Sequence, residues 1–386
     1  MNTKREKTTI VLAGLVIGIV AAMLSYLGNP KNMGFCIACF IRDTAGALGL
    51  HSAGKVCYIR PEIIGIVLGS FGIALAKKEF NPKGGSSPLT RFIIGFFVMI
   101  GCLMFLGCPF RMIVRLAGGD LNAIFGLVGL FVGVLCGIFF LNRGYSLGRT
   151  HALNKIEGSA FALVQVMLLV LVVAAPAFIV FTAAGEGPGG ARAIIAVSLA
   201  AGLIVGVLAQ RTRLCMIGGF RDAVLFREFK LLLGFVAILI GALLTNLILS
   251  CALGGLSFGS GSGEALIGLT FGSGEALIEG AFFKLGFAGQ SVAHTDGLWN
   301  ALGMLLVGFG CTLLGGCPLR QLVMAGEGNS DSAVTIIGLC VGAAFAHNFG
   351  LASSTEGPTL AGKIGVLVGL AVCVLIAVGN KDRKNR

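Results

Sequence analysis

The sequence predicts an all-α, polytopic integral membrane protein of about ten spans, built as two inverted repeats with short broken or re-entrant helices. Three observations carry that prediction. Of 386 residues, 56% are hydrophobic and 12% charged, against roughly 25% charged in an ordinary soluble domain. Ten apolar runs are long enough, or nearly so, to cross the hydrocarbon layer, which needs about 18 residues or more. Two cysteine-bearing segments each occur twice.

The runs fall at 9–28, 61–76, 89–106, 121–141, 158–183, 193–209, 229–250, 297–315, 332–352 and 361–379. The second is short for a span. Sixty-one glycines suit close helix packing and broken helices in lipid. With Met1 in the cytoplasm, the segments that fall inside carry most of the Lys and Arg: Lys4, Arg5 and Lys7; Lys77, Lys78, Lys83 and Arg91; Arg143, Arg149 and Lys155; Arg211, Arg213, Arg221, Arg227 and Lys230; and Lys381, Arg383, Lys384 and Arg386. Inner loops are expected to be basic, so the net charge of +12 reads as orientation, with both termini cytoplasmic. Basic residues interleaved with polar and aromatic readers are absent, which argues against nucleic acid as a partner. The first run lacks a small-residue cleavage site and is read as a retained helix.

Gly-Cys-Leu-Met-Phe-Leu-Gly-Cys-Pro-Phe-Arg at 101–111 aligns with Gly-Cys-Thr-Leu-Leu-Gly-Gly-Cys-Pro-Leu-Arg at 310–320. The match sets Cys102 on Cys311, Cys108 on Cys317, Pro109 on Pro318 and Arg111 on Arg320. A second pair, 35–43 and 214–222, sets Cys36 on Cys215 and Arg42-Asp43 on Arg221-Asp222. The two offsets, 209 and 179, differ by 30, the size of a Gly/Ser-rich insertion at 254–283 in which Gly-Ser-Gly-Glu-Ala-Leu-Ile occurs twice. This yields a first half at 1–145, a connecting transmembrane helix at 146–190 and a second half at 191–386. An odd number of crossings separates equivalent spans, so the halves face opposite ways. Inverted repeats of this kind are a transporter signature, with the site near the midplane.

Proline suits the first position of a new helix, so Gly-Cys-Pro marks a break in an apolar helix with the thiol beside the start of a short second one. Free N–H groups and the macrodipole there favour an anion and lower a thiol pKa. Repeated in both halves, the breaks put Cys108 and Cys317 on opposite sides of one pathway, with Cys36 and Cys215 at its two entrances. Sulfur is soft and polarisable, so a soft solute such as thiosulfate or a selenium analogue suits such a passage better than sulfate or phosphate. Cys102 and Cys311 read equally as packing or lining, and Arg111 and Arg320 equally as interface anchors or anion guides. Cys136, Cys251, Cys340 and Cys373 have no repeat partner and read as packing. The Arg-Asp pairs read as ion pairs, and the histidines show no metal-ligand spacing. Cys36 and Cys39 form a lone Cys-x-x-Cys with Cys57 nearby, a pattern open to a disulfide, redox exchange or metal capture. Gly218 replaces the second thiol in the other half.

The paired Cys-x6-Asp and Gly-Cys segments, in two inverted halves of a glycine-rich chain, resemble the YeeE/YedE family of sulfur transport proteins over about residues 10–380. The resemblance implies an hourglass-like protein that passes thiosulfate inward, its pathway cysteines exchanging weak hydrogen bonds with the ion. The matching positions are Cys36 or its mate Cys215, with Cys108 and Cys317. Pro and Arg after each Gly-Cys, and Cys39 in the first half, are similar to the branch associated with selenium metabolism. The expectation is therefore a permease of the bacterial inner membrane for a small sulfur- or selenium-containing anion. It is not an enzyme, it carries no cofactor or metal, and its partners are lipid and a candidate cytoplasmic sulfur or selenium carrier protein. No ATP-binding loop is present. The rivals are a membrane thiol-disulfide oxidoreductase using Cys36 and Cys39, and a soft-metal carrier.

Overall fold

The computed structural model describes residues 3–253, 257–258, 278–279, 282–287 and 289–380. Most of the 254–283 insertion, including both copies of its Gly-Ser-Gly-Glu segment, lies outside these residues. The chain runs as α1 (Thr3–Tyr26), α2 (Ile37–Ala47), α3 (Pro61–Ala76), α4 (Pro88–Phe105), α5 (Pro109–Ala117), α6 (Ala123–Asn142), α7 (Lys155–Ala174), α8 (Gly187–Gly190), α9 (Ile195–Thr212), α10 (Met216–Phe226), α11 (Lys230–Leu253), α12 (Gly297–Leu314), α13 (Pro318–Gly326), α14 (Ser330–Asn348) and α15 (Leu360–Gly379). Strands among the described residues are two-residue pairings only, such as Lys83–Gly84 against His151–Ala152. Ten helical segments are long and apolar enough to span a membrane. The chain is an all-α, multi-pass membrane protein.

Helix ends follow local chemistry. Proline opens α3, α4, α5 and α13, where its missing N–H has no partner to lose. Polar side chains cap α12 (Asp296), α14 (Asn329) and α15 (Thr359), each accepting an orphan N–H of the first turn. The run expected to continue to 183 stops instead at Ala174, because Pro176 disfavours helical backbone in the residue before it. The residues beyond it form a loop.

Packing is by exchanged partners. α1 lies against α11 and α3 against α9, while α6 lies against α12 and α14 against α4, with α4 and α12 meeting at the centre. Each contact is made by glycine against carbonyl. Gly241 faces the Leu15 carbonyl, Gly65 that of Leu199, Gly95 that of Thr335, and Gly101 that of Gly303. In lipid no hydrophobic gain draws helices together, so close van der Waals contact between small residues does so. The spare surface is apolar, and Val128, Val170, Ile248 and Leu375 point outward.

Candidate functional site

Four short helices, α2, α5, α10 and α13, converge on the buried centre, and a cysteine is the residue before each: Cys36, Cys108, Cys215 and Cys317. In two of them the sulfur acts as the cap. Cys36 Sγ accepts the Cys39 N–H at 3.4 Å, and Cys215 Sγ accepts the Gly218 N–H at 3.3 Å. At the other two, Pro109 and Pro318 take the first helical turn. The helix before each break ends in left-handed backbone, at Leu106 (φ 59°) and Gly315 (φ 79°). The Cys102 and Cys311 carbonyls accept the N–H groups of Gly107 and Gly316 at 2.7 and 2.9 Å, closing the last turn.

The thiols form a file through the molecule. Cys36 and Cys108 are close neighbours. Cys102 lies within electrostatic range of Cys36 and Cys108 on one side and of Cys311 on the other. Cys311 is likewise near Cys215 and Cys317, and Cys215 and Cys317 bring their sulfurs to 3.9 Å. All six are buried. Cys373 joins this group from α15, its sulfur 4.0 Å from the place a Gly310 Cβ would take. Cys340 is half-buried, while Cys136 and Cys251, expected to be packing residues, are exposed. They sit on helix faces that turn away from the core.

The two ends of the file differ. On the face that carries the start of α1, a cavity of about 500 Å³ reaches down to Cys215 and is lined by Glu79, Arg211, Arg221, Lys230 and Arg320. A second cavity of about 530 Å³ shares its Arg213 and Arg320 wall. Most of the charges are paired. Arg211 meets Glu79 at 2.8 Å, Arg221 meets Asp222 at 2.9 Å, and Arg320 meets Glu327 at 3.1 Å. Gln210 and Arg211 hold the Glu79 carboxyl below the usual carboxylate range. Arg213 lines both cavities and makes no ion pair among the described residues.

On the opposite face the file is covered. Arg111, expected as an anchor or an anion guide, is fully buried. Its guanidinium donates to the carbonyls of Asn32 (3.2 Å), Ser291 (3.3 Å), Val292 (3.1 Å) and Leu106, and to Cys39 Sγ at 3.7 Å. Residues 284–287 and 289–294 lie over the ends of α4, α5 and α6 as a strap. It is also held by Lys284 and Gly286 N–H to Gly118 and Gly119, by Asn122 to Phe287, and by His294 to Met104. Cys57 donates to Ala53 at 3.3 Å instead of joining Cys36 and Cys39.

Three buried polar clusters lie beside the cysteines, and of their members only the Arg42–Asp43 ion pair is expected from sequence. Asp43 is gripped by Arg42 and Arg60, each at 2.7 Å, and Arg60 also donates to Pro188 and Ala191. Arg115 pairs with Asp120 at 2.7 Å. Glu62 accepts from Asn29 and Ser198 at 2.7 and 2.9 Å, leaving its second oxygen without a partner. Only the adjacency of Arg42 and Asp43 signals any of this. Arg115 and Asp120 stand five residues apart across the end of α5, and the partners of Arg60 and Glu62 are long-range.

Fold and site together define a multi-pass membrane protein with a buried file of thiols, open toward one face. Compared with known protein families the chain matches none, and it matches no curated protein.

Proposed function

We propose that the protein is a permease of the bacterial inner membrane that passes a soft sulfur- or selenium-containing anion inward along its cysteines. The carrying observation is the file of thiols, Cys36 and Cys108 through Cys102 and Cys311 to Cys317 and Cys215, between a covered face and a vestibule of about 500 Å³. In this reading Cys36 and Cys108 receive the solute from outside, and Cys317 and Cys215 hand it inward. The halves at 1–145 and 191–386 act as inverted repeats, joined through 146–190. Weak S–H donors and free N–H groups at helix starts suit a diffuse, polarisable anion. The likeness of the cysteine motifs to the YeeE/YedE family supports the same reading, with thiosulfate or a selenium species as cargo. Basic residues around the vestibule, among them Arg211, Arg213, Arg221, Lys230 and Arg320, agree with a cytoplasmic face and with delivery to a sulfur or selenium carrier protein there.

The test is uptake into liposomes or a strain lacking other routes, comparing thiosulfate, selenite and sulfate. Parent protein is expected to take up thiosulfate or selenite well above sulfate, and Cys108→Ala and Cys317→Ala to lose that uptake. Equal uptake by parent and both variants ends the site assignment.

An oxidoreductase reading has one observation in its favour: Cys36 caps α2 and accepts the Cys39 N–H, an arrangement that suits thiol exchange. It predicts that Cys39→Ser abolishes activity while Cys317→Ala does not. The permease reading predicts the reverse.

A further inference from the structure

We propose that Cys215 and Cys317 are a redox-active dithiol, and that its oxidation to a disulfide shuts the file of thiols off from the vestibule. The dithiol stands on geometry alone; its meaning as a gate on solute flow rests on the permease reading.

The two sulfurs are 3.9 Å apart although 102 residues separate them in the chain. Each belongs to the residue before a short helix, with extended backbone at Cys215 (φ −154°, ψ 116°) and Cys317 (φ −70°, ψ 166°). Side chains there turn about χ1 without unwinding α10 or α13, and a disulfide needs its sulfurs to close to about 2.05 Å. Access separates this pair from the rest. Cys215 lines the vestibule of about 500 Å³, whereas Cys36, Cys39 and Cys102 have no exposed surface. A water-soluble oxidant entering from that face therefore meets Cys215 first. The second half also has Gly218 where the first has Cys39, so Cys317 is the thiol placed to resolve an adduct on Cys215.

The reaction uses a low-molecular-weight disulfide as oxidant. The Cys215 sulfur attacks one sulfur of the reagent and forms a mixed disulfide. The first reagent thiol leaves and takes the Cys215 proton. The Cys317 sulfur then attacks the Cys215 sulfur, forming the internal S–S bond and releasing the second reagent thiol with the Cys317 proton. The protein loses two hydrogens and two electrons, and the reagent gains both. The new bond ties the starts of α10 and α13 across the floor of the vestibule and removes the last two S–H donors of the file.

Glutathione disulfide is added to the full-length protein in detergent, and non-reduced peptides are mapped by mass spectrometry. A crosslinked peptide pair carrying residues 215 and 317 is expected before any other, while Cys317→Ser is expected to stop at a stable glutathione adduct on Cys215. Closure is read without cargo: the labelling rate of Cys311 by a small thiosulfonate is expected to fall on the order of tenfold or more after crosslinking, as exchange rates follow access, and to recover with dithiothreitol. Prior appearance of a Cys36–Cys39 bond, a persistent adduct on Cys215 with Cys317 intact, or an unchanged Cys311 labelling rate overturns the proposal. Failure of thiosulfate and selenite uptake by fully reduced protein overturns the permease reading and leaves these readouts intact.

Discussion

Arg111 and Arg320 hold the same place in the two Gly-Cys-Pro-x-Arg segments, yet the fold gives them opposite work. Arg111 satisfies four carbonyls and a thiol with no exposed surface. Its loss leaves the buried Leu106 carbonyl and Cys39 thiol without this donor and releases the part-buried carbonyls of Asn32, Ser291 and Val292, so Arg111→Ala is expected to cost about 1–3 kcal/mol for each group left buried and unpaired, read as a fall in thermal stability in detergent. Lysine, a point charge with three donors, restores only part. Arg320 pairs with Glu327 at the partly open vestibule wall, so Arg320→Ala is expected to cost no more than about 1 kcal/mol while slowing solute flow. Equal destabilisation by the two variants would contradict these roles. The covered face has a second residue-scale feature. His51 and His294 each accept a backbone N–H on Nδ1, from Ala53 and Asp296, and so donate Nε2–H to the carbonyls of Arg42 and Met104. A proton on Nδ1 breaks the first bond, and burial lowers both pKa values below the usual 6.5. A histidine lowered in the folded state contributes its full stability above its unfolded pKa and loses it as pH falls below about 6.5, when only the unfolded chain takes up the proton. Melting temperature is therefore expected to drop between pH 7 and 5, and His294→Gln, which keeps a donor for Met104, to flatten the drop.

At the scale of the element, helix ends decide the site. Leu106 holds left-handed backbone, which costs a non-glycine residue about 1–2 kcal/mol. Its repeat mate is Gly315, where no such cost arises. Even so, Leu106→Gly is expected to destabilise by about 1 kcal/mol net, because the leucine side chain is 3% exposed and its burial is worth about 2–3 kcal/mol. Lys78 supplies the control, with the same backbone (φ 57°) past the end of α3 and an exposed side chain. Lys78→Gly is expected to stabilise by up to about 1 kcal/mol, and a loss would show that the left-handed turn carries no strain. These ends also mark what was legible in the sequence. The breaks at Pro109 and Pro318, with a cysteine before each, follow from local rules that act over three or four residues, and the spans from apolar runs of about 18; the starts of α2 and α10 behind Cys36 and Cys215 carry no such proline signal. Apolar length alone carries the fifth run on to 183, whereas Pro176 ends α7 at Ala174. The contacts of Arg111 with Ser291 and Val292, and of Arg60 with Pro188, join segments more than a hundred residues apart, and no local pattern encodes them.

For the whole molecule, glycine sets how closely the exchanged helices approach and therefore whether the thiol file is continuous. The helices that carry Cys102 and Cys311, α4 and α12, close to within contact at Gly101 and Gly303. The flanking pairs, α1 with α11 and α3 with α9, rest on the same device. Gly241 tests it away from the cysteines. A Cβ there would stand 2.6 Å from the Leu15 carbonyl oxygen and 3.2 Å from the Leu15 Cα. Both are backbone atoms that no rotamer change can move, so α1 and α11 must part. Gly241→Ala is expected to lose about 1–3 kcal/mol as overpacking, in spite of alanine's better helix propensity. Gly72 sits on the exposed side of α3, and a Cβ there meets nothing within 4 Å. Gly72→Ala is therefore expected to gain up to about 1 kcal/mol from propensity alone. Thermal unfolding of the two variants in one detergent separates the effects. If both stabilise, the helices are held apart by more than glycine contact, and the continuity of the thiol file needs another cause.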